Sequence, residues 1–504
     1  MTTALTMVKT GGKYANEKFF GVRHVQCILC FFCLAMSYAW RVNLSVAVVA
    51  MTEHPAVNNT DRLAENDTDF SGEDDDDFGF DLFNSERYYT FSEGQRSAML
   101  SSFFWGYVVT QVPGGYIAQR YGAKILLMWG LGIAAIITML SPLSLKLGGW
   151  LALCAMRFVM GLSQGAVHPA THALLSKWSP AEERGILGTI CYSGAQFGTV
   201  IMLATSGFIA DSFLGWPSIF YLGGACGFLW MIFWYLFSAS TPEEHRLISP
   251  GELKFITESR SDGKMQSAEK LAPTPWVAIF SSLPFLSLLV VHCTHMFGFW
   301  LLLTQIPSYM KSIYHVDIKS SALLSSLPYL VMLLLSFFFV WLSKVLQRKE
   351  GLSLSFNRKL FNSIGHWIPM CSLIALGYVP QEDAPLAVAL LTLTVGISAA
   401  TYLGFQVNHI DLSPNYAGTL MGLTNGAANV MSAIAPLIVG LIVQDKESVG
   451  DWRLVFFLAA AFYFVGNLLF VIFGRTEVQW WDSPRDNKED AEQGTPLSPN
   501  GQHK

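Results

Sequence analysis

Apolar runs of about twenty residues recur from one end of this chain to the other, and each is long enough to cross a hydrocarbon core about 30 Å thick as a helix. Twelve can be counted, near 25–50, 97–118, 124–142, 150–174, 186–210, 216–238, 285–309, 321–343, 360–378, 385–408, 418–442 and 453–474. A backbone in lipid has no water to bond to, so it must satisfy its own N–H and C=O groups. The expected fold is therefore an all-α polytopic membrane protein with twelve transmembrane helices. Composition agrees: 52% of the 504 residues are apolar and 14% are charged, against about 25% charged in an ordinary soluble protein. The first run is not expected to be a cleaved signal peptide, because it is too long, carries Arg41, and has no small-residue cleavage site after it.

The polar segments divide the chain. Residues 239–284, charged with both signs and holding Pro242, Pro250, Pro273 and Pro275, separate six runs (25–238) from six (285–474), with tails at 1–24 and 475–504. Lys9, Lys13, Lys18 and Arg23 precede span 1, Arg120 and Lys124 sit between spans 2 and 3, and Lys344, Arg348, Lys349, Arg358 and Lys359 sit between spans 8 and 9. Such segments face the cytoplasm, so both tails and the 239–284 linker are expected there. Loop 51–96, with the acidic run Glu73-Asp74-Asp75-Asp76-Asp77, is expected outside or in a lumen. Its two sequons, at Asn58 and Asn66, are then candidate glycan acceptors. Ala98-Met-Leu-Ser-Ser102 opens span 2 and Ala322-Leu-Leu-Ser-Ser326 opens span 8, an echo that fits two parallel repeats around a central site.

Net charge is −5, and no basic patch supports a nucleic-acid partner. The eight cysteines fall within or at the edges of spans, so neither a disulfide framework nor a metal centre is expected. No nucleophile motif, metal-ligand spacing or phosphate loop points to an enzyme, and no cofactor is expected beyond a coupled ion.

Charges inside lipid are costly and normally face a cavity or a partner. Arg41 and Arg157 lie well inside their spans, with no Asp or Glu near the middle of any span to neutralise them. Guanidinium forks in that position suit an anion. The alternative is that each ties down backbone carbonyls within the bundle. At about 100° per residue, Arg157, Gly161, Gln164, His168 and His172 share one stripe of span 4. Ser37, Arg41 and Ser45 share a face of span 1, His292 and His295 lie on span 7, and Asn425, Asn429 and Ser432 on span 11. Tyr107, Gln164 and Asn425 are expected to complete the anion site with the two arginines. His168, His172, His292 and His295 are candidates for ion coupling, since imidazole loads and unloads a proton near neutral pH.

Gly115-Tyr-Ile-Ala-Gln119-Arg120-Tyr-Gly122-Ala-Lys124 resembles the loop signature between spans 2 and 3 of the major facilitator superfamily, a conformational-switch element in which Gln119 stands where an Asp is usual. Arg41-Val-Asn43-Leu-Ser-Val-Ala, Phe103-Phe-Trp-Gly-Tyr107 through Gln111-Val-Pro113-Gly-Gly115, Arg157-Phe-Val-Met-Gly161 through Lys177-Trp178-Ser-Pro180 and Glu183-Arg184, and Asn408-His409-Ile-Asp411-Leu-Ser-Pro414 together resemble the anion:cation symporter family. That family includes type I sodium-phosphate cotransporters, sialin and vesicular glutamate transporters.

The resemblance implies two six-helix halves and secondary active transport of a small anion, inorganic phosphate or organic, with a co-transported cation, sodium or proton. It implies that Arg41 and Arg157 match arginines lining the anion site and that His172 matches the histidine of the span 4 motif. Gln164 replaces a glutamate tied to proton coupling in sialin and the glutamate carriers, Leu100 replaces a histidine of the latter, and His295 an arginine. With Gly215-Trp-Pro217, these departures look more like the phosphate-cotransporter branch, which includes insect proteins commonly named inorganic phosphate cotransporters. A proton-coupled exporter of acidic sugars, a facilitative organic-anion carrier, and an anion-sensing receptor without flux are the rival expectations. With no acidic dileucine signal in either tail, the plasma membrane is expected in preference to a lysosomal or vesicular one.

Overall fold

The computed structural model describes residues 20–52, 89–210, 212–259, 273–315, 318–347, 353–445 and 447–482. Asn58 and Asn66 and the acidic run lie outside the described residues. Within them all regular structure is helical. Among the described residues nine helices are long and apolar enough to cross a membrane. The count of spans is twelve, for two reasons. The longest apolar stretch, Ala123–Trp178, is two spans folded at Gly149. Glu93–Tyr121 and Leu354–Leu376 pack among the others as spans 2 and 9 although their polar residues make them less apolar. Large apolar side chains such as Phe208, Leu441, Trp105 and Leu334 point outward, while Arg, His, Asn and Gln side chains fill the interior. That inverted distribution is stable only in lipid.

Local chemistry places the ends. Ser92 caps span 2 in a reciprocal capping box with Gln95; Ser353, Asp383 and Ser448 cap the helices that follow them. Gly122 turns the chain between spans 2 and 3 at φ +96°, a conformation that disfavours a Cβ, which would also meet Ser240 Oγ. Lys124, next to that turn, donates to the carbonyls of Tyr235 and Ser238 at the end of span 6. Arg120 is exposed.

Span 1 packs on span 5, span 2 on the span 3–4 hairpin and span 3 on span 6; in the second half span 7 packs on 11 and 12, and span 9 on 12. The halves meet at the end of the bundle that carries Arg120, Lys124 and Lys344, here called the basic end. There a Cβ on Gly115 would strike the Gly418 carbonyl, and one on Gly422 the Gln111 carbonyl, so the two helix backbones touch. Gln119 joins the same seam, its Nε2 donating to Pro414 O (3.5 Å) while its Oε1 accepts from Gly418 N (3.4 Å). The ion pair missing at Gln119 is supplied elsewhere: Arg184 of the first half reaches Asp411 of the second at 3.1 Å, and Arg358 reaches the same carboxylate at 2.8 Å.

Two elements depart from smooth spans. Span 9 starts at Leu354, a turn earlier than apolarity alone indicates, which puts Arg358 inside the bundle instead of in a loop. Span 10 is broken: Ala384–Ile397 continues as a 3₁₀ turn, Ser398–Tyr402, and resumes as Phe405–Leu412. At the break Asn362 Oδ1 accepts from Phe405 N (3.2 Å), and a Cβ on Gly404 would collide with Asn362. A side chain inserted into the backbone ladder is a sufficient cause for the interruption.

After span 12 the chain folds back across the basic end. Gln479 N donates to Leu412 O and Asn408 Nδ2 to Arg475 O, Trp481 is fully buried, and Asp482 accepts from Ser413 Oγ, Asn415 N and Asn415 Nδ2. Burial pushes the Asp482 carboxyl up to about 6, against the pull of those donors. A folded pKa raised above the free value means that docking of this segment is favoured most when the carboxyl is protonated and weakens as pH rises through about 6. Protection factors of the amides of residues 475–482, with intrinsic exchange at each pH divided out, are expected to be larger at pH 5 than at pH 7.5, and Asp482→Asn to remove the difference. A segment equally protected at both pH values in the wild type would show that this carboxyl does not govern the docking.

Candidate functional site

Between the halves lies a cavity of about 570 Å³ counting its open mouth. The first half contributes Tyr38, Arg41, Tyr107, His168, Tyr192 and Gln196; the second contributes His295, Phe299, Trp300, Tyr402, Gln406, Asn425 and Asn429. Among the described residues its wall holds one permanent charge, Arg41, and no carboxylate.

Arg41 sits on span 1 one turn from Tyr38, so the two side chains share a face. Its guanidinium lies 4.5 Å from the ring centres of both Tyr38 and Tyr107, and 5.0 Å and 5.9 Å from those of Phe103 and Phe104. These aromatic faces hold the cation and fix its plane. Yet Nε and Nη2 have no hydrogen-bond partner among the described residues, and only 7% of the residue is exposed. A desolvated guanidinium with unused donors costs several kcal/mol. An anion arriving in the cavity recovers that cost.

Arg157 does something else. Its Nη1 donates to Trp40 O (2.9 Å) and its Nη2 to Arg41 O (3.2 Å), and its guanidinium lies 5.4 Å from the Phe103 ring centre. The geometry places it behind Arg41, clamping the span 1 backbone that presents Arg41, and not on the cavity wall. The bundle-tying alternative therefore describes its contacts, although its positive charge still adds to the field at the site. Gln164 likewise lies off the wall, accepting from Ser37 Oγ at 2.7 Å. The single stripe expected on span 4 is split: the helix ends at Gln164 and resumes at Val167, so Arg157 and Gln164 point at spans 1 and 2 while His168 reaches the cavity. Gly161 and Gly165 allow that packing, since a Cβ on either would strike the span 2 backbone around Phe103 and Tyr107.

Tyr107 and Asn425 do meet at the cavity. Asn425 Nδ2 donates to Tyr107 OH (3.3 Å) and Gln111 Oε1 (2.9 Å), joining the halves beneath the wall. Gln196 Nε2 donates to Tyr402 OH (3.0 Å) in a second cross-half bond. At the end away from the basic loops Phe104 and Trp300 stack edge to face at 5.1 Å and roof the cavity. Of the four candidate histidines, His168 and His295 line the cavity, whereas His172 and His292 are buried beside it.

Tyr38, Tyr192, Gln196 and Tyr402 escaped the sequence reading, which scanned spans for charge. Tyr192 and Gln196, four residues apart in an apolar helix, carried a helical-period signal for one polar face. His409 and Asp411 stood in a quoted motif without an assigned role, and their packing explains the motif: His409 bonds Thr424 at 2.7 Å and Asp411 holds two arginines.

Comparison with known proteins places these features in context. A family model described as Major Facilitator Superfamily matches residues 27–436. The chain is similar to a Drosophila melanogaster protein whose name assigns it to inorganic phosphate cotransport, 38% identical over 477 residues, which cover 94% of this chain and 88% of that one. It is similar to sialin of Homo sapiens, 36% identical over 470 residues, 91% of this chain and 90% of sialin. Vesicular glutamate transporter 1 of Xenopus tropicalis is 31% identical over 470 residues, 93% of this chain and 77% of that one. Among solved structures the proton:xylose symporter XylE superposes with a TM-score of 0.65 at 15% identity, covering 92% of this chain and 98% of XylE, which is a likeness of fold.

Proposed function

Since the chain belongs to the Major Facilitator Superfamily, and within it to the anion:cation symporter family, we propose that Arg41 is the receptor for a small anion carried across the membrane by alternating access. It is a multi-pass integral membrane protein, and its relatives are transporters, not enzymes. The observation that carries the reading is Arg41 itself, a buried cation on the wall of the inter-half cavity; among the described residues its Nε and Nη2 have no partner and that wall has no carboxylate. We place the basic end in the cytoplasm, which makes the present conformation closed on that side by the Gly115–Gly418 seam and the Arg184–Asp411 pair. Transport requires those contacts to part while the Phe104–Trp300 side tightens. A cation gradient drives the cycle, and the plasma membrane is the proposed residence.

The aromatic wall favours an organic anion as a substrate beside inorganic phosphate. Tyr38, Tyr107, Tyr192, Tyr402, Phe299 and Trp300 offer ring faces that a bare phosphate cannot use. Uptake of radiolabelled phosphate, glucuronate and glutamate into vesicles holding the protein tests the reading. Saturable entry of at least one anion above control vesicles is expected, and absence of entry for all anions, with sodium and pH each varied, would reject it.

Arg157→Lys separates a clamp from a direct ligand. Lysine keeps the charge but loses the planar fork that spans two carbonyls. Initial uptake is expected to fall about tenfold, the equivalent of one charge-assisted hydrogen bond, with the relative rates for different anions unchanged. Altered selectivity among anions would place Arg157 in contact with the substrate.

A further inference from the structure

Outside the anion cavity, the seam between the halves holds a cluster of buried imidazoles joined by hydrogen bonds. His409 Nε2 lies 2.7 Å from Thr424 Oγ1, and the same hydroxyl lies 3.0 Å from His292 Nδ1. His409 Nδ1 faces Gln406 O at 3.1 Å, and His172 Nε2, from the other half, faces that carbonyl at 2.9 Å. Since a carbonyl only accepts, both rings direct an N–H at Gln406. His409 Nε2 is then a lone pair that accepts from the Thr424 hydroxyl, Thr424 accepts in turn from His292 Nδ1–H, and His292 Nε2 is a bare lone pair with no partner among the described residues. On the other side, Tyr192 OH, on the cavity wall, donates to His172 Nδ1 at 2.6 Å.

We propose that His409, Thr424 and His292, with His172 across the seam, form the site of the coupled cation, and that this cation is a proton. The inference rests on the anion-transport reading of the cavity and goes beyond it by naming the ion and its carrier. A proton that enters at the open His292 Nε2 is relayed along the chain: His292 Nδ1 gives its hydrogen to the Thr424 oxygen as the Thr424 hydroxyl gives its own to His409 Nε2, leaving His409 as the imidazolium and Thr424 donating back to His292 Nδ1. One proton enters, one open nitrogen takes it, and no heavy atom moves. A metal cation lacks what it needs here. Hard cations require several oxygen ligands, the cavity wall among the described residues has no carboxylate, and the nearby Asp411 is held by Arg184 and Arg358.

The groups that set the charge of this cluster are all in place. His409 faces His172 of span 4 and His292 of span 7 at ring distances of 5.2 and 5.8 Å, with Asp411 on its own helix. His295 lies one turn along span 7, with His366 of span 9 at 5.1 Å and Tyr463 of span 12 at 6.1 Å. Arg41 stands on the His168 side. Because His172 belongs to one half and Gln406, His409 and Thr424 to the other, opening the basic end separates them and wets the rings from that side. Proton release is thereby tied to the conformational step.

Proteoliposomes holding the full chain test this with phosphate, glucuronate and glutamate as the anions. Two readings are taken: anion-for-anion exchange, which moves no net proton, and accumulation driven by an imposed pH gradient without sodium, with external alkalinisation recorded. For the wild type, accumulation of about tenfold per pH unit is expected for a singly charged anion carried with one proton. Thr424→Val and His409→Gln are expected to keep exchange but bring accumulation to unity, and Thr424→Ser to restore it. Accumulation that follows sodium and ignores the pH gradient would overturn the proton. Accumulation that survives Thr424→Val and His409→Gln alike would overturn the assignment to this cluster. Absence of exchange for every anion in the wild type would overturn the transport reading and the inference with it.

Discussion

Replacing Arg41 with glutamine is expected to reduce anion uptake at least about 100-fold in kcat/KM, to the level of vesicles without protein. The magnitude follows from what the side chain offers. Two donors, Nε and Nη2, are unused and desolvated, and a hydrogen bond to a charged group contributes about 1.5–3 kcal/mol each, so losing both removes about 3–6 kcal/mol of anion binding. Glutamine keeps a polar head on a shorter side chain but neither the charge nor the stacking between Tyr38 and Tyr107. Arg41→Lys keeps the charge alone and is expected to fall between the two, because an ammonium matches neither the ring faces nor a two-oxygen acceptor as a guanidinium does. Uptake kinetics on reconstituted protein, normalised to the folded fraction, measure the difference. Unchanged kinetics in Arg41→Gln would remove the arginine from the site.

Asp411→Asn is expected to cause the largest loss of stability of any single change at the seam. Asp411 is 1% exposed and bridges Arg184 at 5% and Arg358 at 2% exposure. Removing its charge leaves two buried guanidinium groups facing each other, a mechanism that costs about 3–5 kcal/mol when a buried pair is broken. The expected result is a marked drop in the apparent Tm in detergent and poor recovery of monodisperse protein. Arg184→Met is expected to cost less, since Asp411 keeps Arg358, but to weaken the contact between halves and favour opening at the basic end. Equal loss of Tm in the two variants would show that Asp411 is not the hub of the network.

What could be read in the residues and what could not divides along physical lines. Twelve spans were legible because lipid imposes one local rule, a long apolar helix, and each run obeys it independently of the rest. The exceptions are instructive. Span 9 begins at Leu354 because Arg358 finds Asp411, and span 10 breaks at Gly404 because Asn362 intercepts its backbone; both depend on partners about 50 residues away. At the site, Arg41 was legible as an unneutralised charge in a span, and its place on the cavity wall needed only the helix period.

Arg157 met the same sequence criterion and ended on carbonyls of span 1. Periodicity gives the face of a helix but not the depth at which a long side chain stops, and the break at Gly165 and Ala166 turned the rest of the stripe elsewhere. The histidine cluster was half legible. His172 and His292 were visible as titratable groups in spans, whereas the bridging Thr424 and Gln406 carbonyl are unremarkable in one dimension and acquire meaning only when spans 4, 7, 10 and 11 converge.

An anion carrier built around Arg41 requires a cavity that selects for negative charge. Counterflow across proteoliposomes with paired solutes of the same shape, glucuronate against glucuronamide and glutamate against glutamine, isolates that property from any driving ion. Exchange of a carboxylate at least about tenfold faster than its amide, lost in Arg41→Gln, is the expected result. Equal exchange of charged and neutral partners, or selectivity that persists without Arg41, would contradict the assignment of this cavity to an anion.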